Sequence, residues 1–75
     1  MRTEFRTDKR GYLLILERDL LGDYVLFRRW YGLANRRGGW KRQVFVEEAE
    51  ALKEWRRIEK LRARRGYQKL SQPIF

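Results

Sequence analysis

Residues 24–46 read YVLFRRWYGLANRRGGWKRQVFV, and the way this stretch divides decides the fold. Tyr24–Gly32 is built of β-favouring residues and holds no strong helix signal. Asn35, Gly38 and Gly39 tolerate positive φ, so Leu33–Gly39 is expected to be a loop. Trp40–Val46 then resumes as a strand. Two strands joined by a glycine-containing loop predict an antiparallel pair. Alternation places Phe27, Arg29 and Tyr31 on one face of the first strand, and Leu26, Arg28 and Trp30 on the other. One of Trp30 and Tyr31 is therefore expected to join the core.

Working outward, Thr3–Thr7 reads as a short edge strand and Asp8–Gly11 as a turn. Tyr12–Arg18 is rich in β-formers and bounded by Gly11 and Asp19, which predicts another strand. Asp19–Asp23 has turn chemistry at both ends and Gly22 within it. Downstream, Glu47–Arg65 carries a helical period. Ala51, Trp55 and Ile58 share one face, and Lys53, Arg56, Arg57, Lys60 and Arg64 lie opposite. Acidic residues open this segment and arginines close it, complementing the helix dipole, and Gly66 stands at the stop position. Pro73 rules out continued helix in Leu70–Phe75. The expected fold is α+β: a small antiparallel sheet of three to four strands, covered on one face by a single C-terminal helix. Residues 1–69 form the domain and 70–75 a tail.

Composition narrows the function. Among 75 residues there is neither cysteine nor histidine, which excludes disulfides, thiolate metal sites and the usual neutral-pH general base. The carboxylates are scattered and Ser71 is the one serine. An enzyme is therefore not expected, nor is a cofactor or a metal. No apolar run approaches the ~20 residues that span a bilayer, so a cytoplasmic protein without a membrane partner is expected. Three Trp, four Tyr and four Phe supply the packing surface.

The formal charge is +9 and the pI near 10.7, which suits a polyanionic partner. Between Arg28 and Arg42 lie six Lys/Arg, three aromatics and no acid. Aromatic rings stack on bases while cations neutralise phosphates. The candidate site residues are Arg29, Tyr31, Arg36, Arg37, Trp40, Lys41 and Arg42. The loop arginines Arg36 and Arg37 stand out, because a loop tip has no core to bury them. The basic helix face has the plainer reading of a solvated outer surface.

Arg29-Trp30-Tyr31-Gly32-Leu33-Ala34-Asn35-Arg36-Arg37-Gly38-Gly39, with the strand after it and Arg64-Arg65-Gly66-Tyr67 at the helix end, resembles the WGR domain. The resemblance covers roughly residues 4–67. The Trp-Gly-Arg signature stands here as Tyr31-Gly32-Leu33, so only its glycine is kept. The family implies a module that grips DNA near a strand end, with Tyr31 in the stacking position. The expected function is nucleic-acid binding, DNA rather than RNA, with little sequence specificity, at strand ends or nicks. The alternative is a protein-interaction adaptor or small homodimer that uses the basic helix face and the apolar tail.

Overall fold

The computed structural model describes residues 1–35 and 37–70. Arg36 and tail residues 71–75, on which expectations were placed, lie outside the described residues. Five strands and one helix are present: β1 (Arg2–Arg6), β2 (Arg10–Arg18), β3 (Tyr24–Gly32), β4 (Gly38–Phe45), α1 (Glu48–Arg64) and β5 (Gln68–Lys69). The strands form one sheet in the order β4-β3-β2-β1-β5, antiparallel at every pairing. The α+β class and single helix are as expected, but the sheet has five strands rather than three or four. The added strand, β5, pairs with Phe5 and Arg6, so β1 is not an edge.

Turn chemistry fixes the register. Asp19 Oδ1 accepts the backbone N–H groups of Leu21 at 2.9 Å and Asp23 at 3.0 Å. Gly22 takes φ +88°, a left-handed conformation that a side chain disfavours. This closes β2 onto β3 with Arg18 opposite Tyr24 and Tyr12 opposite Trp30. At the next turn the Gly32 N–H donates to the Arg37 carbonyl at 2.7 Å, and β4 begins two residues before the expected Trp40.

One face of the sheet is covered by α1. Thr3 and Phe5 of β1, Tyr12, Leu14 and Leu16 of β2, and Leu26 of β3 meet Ala51, Trp55 and Ile58 there. Leu14, Leu26 and Ile58 are fully enclosed, and burying each such side chain is worth about 1.5–3 kcal/mol. The helix begins with Glu48 and Glu50 in its first turn and ends with Arg62 and Arg64 in its last. Gly66, at φ +84°, then turns the chain back toward β1. The helix residues expected to face outward (Lys53, Arg56, Arg57, Lys60 and Arg64) are all exposed.

Candidate nucleic-acid interface

The second face of the sheet carries no helix, and the strand register sets out its side chains in rows. Running from β1 to β4, one row is Glu4, Leu13, Arg29, Trp40, and the next is Arg2, Ile15, Phe27, Arg42. Beyond them lie Arg6, Gly11, Tyr31, Gly38 on one side, and Glu17, Val25, Val44 on the other. On β3 and β4 these rows make a square: Phe27 and Trp40 at one diagonal, Arg29 and Arg42 at the other. The two rings stack with centroids 6.0 Å apart and planes at 25°. Trp40 remains 64% exposed, so its outer surface is open to a ligand.

The square is electrostatically unbalanced. Neither Arg29 nor Arg42 belongs to any ion pair among the described residues. The carboxylates of this face stand on β1 and β2, and Glu4 is already engaged. Its Oε1 pairs with Arg2 at 3.1 Å, and its Oε2 accepts the Tyr31 hydroxyl at 3.1 Å. Tyr31 reaches Glu4 by lying over Gly11, where any Cβ would strike the tyrosine ring. Tyr31 therefore borders the square from a fixed position, and a second cleft of about 380 Å³ runs between it, Arg29 and Trp40.

The structure thus brings Arg29, Tyr31, Trp40 and Arg42 together and sends Lys41 and Arg37 elsewhere, while Arg36 lies outside the described residues. Lys41 projects to the helix side, because strand alternation puts it opposite Arg28. Arg37 lines a separate cleft at the end of the sheet. Arg28 is removed from phosphate duty altogether. Its guanidinium donates to Gln43 Oε1 at 2.6 Å and lies 3.6 Å from Glu54, with only 12% of the side chain exposed. Neither Trp30 nor Tyr31 joins the buried core as expected. Trp30 is 40% exposed and packs on Tyr12, with centroids 6.3 Å apart. Phe27, which was not among the candidate residues, completes the square. Its place two residues before Arg29 was the available signal.

Glu54 organises the covered side. Its carboxyl is held below the ordinary range by the Arg57 hydrogen bonds first, and by the charges of Arg57 and Arg28, against the opposing effect of burial. Arg57 is consequently paired, which leaves Lys53, Arg56, Lys60 and Arg64 outside every ion pair on the outer helix face, among the described residues. No helix is long and apolar enough to cross a membrane, and no three carboxylates gather into a cation site among the described residues. No family model matches this chain, and neither a curated protein nor a solved structure is similar to it.

Proposed function

We propose that this chain is a nucleic-acid-binding module of little sequence specificity that takes unstacked bases on the open face of β3 and β4. The observation that carries the reading is the square of Phe27, Arg29, Trp40 and Arg42, two stacked rings interleaved with two cations that join no ion pair among the described residues. A flat aromatic surface on a sheet is complementary to a base with a free face. Bases inside a duplex have none, so single strands, frayed ends and nicks are the substrates of choice. The arginines would hold phosphates on either side without reading sequence. The resemblance to the WGR domain favours DNA, while a stacking surface by itself tolerates RNA.

An anisotropy titration comparing single strand, blunt duplex, 5′-phosphorylated duplex and closed hairpin at two salt concentrations tests this. Single strand should bind best and the hairpin worst, and RNA of the same sequence should bind no better than DNA. Equal and fully screened binding to all four DNA species would reduce the interaction to nonspecific charge.

A second reading has its own observation. Ile15, Val25 and Val44 continue the open face beyond the square, and Val44 is largely exposed. An adaptor or homodimer would cover these residues, with the basic helix face meeting an acidic partner. Sedimentation of the full chain and of a variant lacking residues 70–75 separates the readings. A tail-dependent dimer without affinity for nucleic acid favours the adaptor.

A further inference from the structure

At the end of the sheet, adjoining the square at Tyr31, the β1–β2 turn, the β3–β4 loop and the last turn of α1 line a cleft of about 520 Å³. That volume falls within the range of ~300–1,000 Å³ typical of small-molecule sites. Its walls include Lys9, Arg10, Trp30, Arg37, Arg62 and Tyr67, and no carboxylate lines it. We infer that this cleft binds a free nucleoside polyphosphate, the base against the rings and the phosphates on Lys9, Arg10 and Arg37.

The aromatic wall is contiguous, with Tyr12 stacked beside Trp30 and met edge-on by Tyr67. Trp30 lies on Tyr12, and the Arg62 guanidinium sits over Tyr12 at 4.5 Å and over Tyr67 at 5.2 Å. Arg62 has no carboxylate partner among the described residues, and its Nε is buried without a hydrogen bond. Among the described residues its charge faces ring surfaces and no carboxylate. Tyr67 is held in place by its own N–H, which donates to the Arg62 carbonyl at 3.0 Å.

The backbone that carries the cations is also tied down. Thr7 Oγ1 accepts the N–H groups of Lys9 at 3.2 Å and Arg10 at 3.0 Å. The Lys9 carbonyl in turn accepts the Leu33 N–H at 3.0 Å, which ties this turn to the β3–β4 loop. Asn35 Oδ1 accepts the Arg37 N–H at 3.0 Å and sets the far side. The backbone around the cleft is therefore organised before a ligand arrives, and the ordering cost of binding falls on the exposed Lys9, Arg10 and Arg37 side chains. Three cations beyond the rings exceed what a single phosphate monoester needs, which points to a di- or triphosphate rather than a strand end.

Calorimetric titration of the full chain with a nucleoside triphosphate, the matching nucleoside, inorganic triphosphate and a 5′-phosphorylated oligonucleotide tests the assignment. The nucleoside triphosphate should bind at least about tenfold more tightly than either the nucleoside or inorganic triphosphate. Lys9→Ala with Arg10→Ala, both exposed in their turn, should weaken it about tenfold or more at unchanged thermal stability. Trp40→Ala should leave it unchanged. Inorganic triphosphate binding as well as the nucleoside triphosphate would overturn the base-stacking half of the inference. No saturable binding would overturn all of it. So would dependence on Trp40 in place of Lys9 and Arg10, or Lys9/Arg10-dependent binding of the oligonucleotide alone. Because the square and the cleft share none of these substituted residues, failure here leaves the single-strand reading to its own titration.

Discussion

Trp40 and Phe27 occupy opposite corners of a four-residue square across β3 and β4, their rings stacked 6.0 Å apart. Phe27 faces inward along the sheet, where Ile15 flanks it, while Trp40 stands on the edge strand with its outer surface bare. The pair offers a ligand one ring supported from below by another. Trp40→Ala should therefore lower single-strand affinity by about 1–3 kcal/mol, a roughly 5- to 150-fold loss in anisotropy titrations. Stability should change by less than about 0.5 kcal/mol, since the side chain is largely exposed. A wild-type affinity in this variant would remove the square from the interface.

The two arginines of the square should account for salt dependence rather than base contact. Each phosphate neutralised on a single strand contributes about 0.7 to the slope of log affinity against log salt. Arg29→Ala and Arg42→Ala should each reduce that slope by about 0.7. Lys41→Ala, on the other side of the sheet, should hardly alter it. A slope that responds to Lys41 as strongly as to Arg42 would show that binding ignores the face.

Gly11 is reserved for the Tyr31 ring. Gly11→Ala places a methyl group inside that ring and forces Tyr31 off Glu4. The clash falls on the far end of a half-buried side chain that can swing partly aside, so the cost lies at the low end of the ~1–3 kcal/mol typical of overpacking. Urea unfolding should show the loss, and Gly11→Ala combined with Tyr31→Ala should recover part of it. A double variant no more stable than Gly11→Ala would locate the strain elsewhere.

Acid should find the Glu54 cluster. Its carboxyl titrates below the ordinary 4.5, because Arg57 and Arg28 favour the ionised form. A lowered folded-state value means that the stabilisation is complete above pH 4.5 and is lost as the pH falls from there through the folded value. Glu54→Gln should flatten this arm of the stability–pH curve. It should also destabilise the neutral protein by about 1–3 kcal/mol, since Arg28 would keep its charge at a mostly buried position. Denaturant midpoints of both proteins across the acid range give the comparison.

Much of the fold could be read from the chain because each strand is bounded by strong turn residues. Asp19 and Gly22 close one hairpin, and Asn35 and Gly38 the next. The helix declared itself through Ala51, Trp55 and Ile58. β5 carried no such signal: Gln68 and Lys69 have no apolar alternation and are held by backbone hydrogen bonding to β1, which Leu70 extends through Glu4. The site was half legible. Spacing showed that Arg29 and Tyr31 share a face, but not which face the helix would take. That choice was made by Leu14, Leu16 and Leu26 together, and it carried Arg28, Trp30 and Lys41 to the covered side. The Arg28–Glu54 pairing joins residues far apart in sequence and left no trace in local pattern.

The size of the square also limits how much polymer one molecule would grip if it binds as proposed. At ~3.4 Å per residue the square spans about 7 Å along the strands, room for about two bases. That is below the ~4–16 nucleotides that larger single-strand folds enclose. On the proposed reading one copy would hold a strand only briefly, and lasting occupancy would require many copies side by side or attachment to something else that holds the same strand.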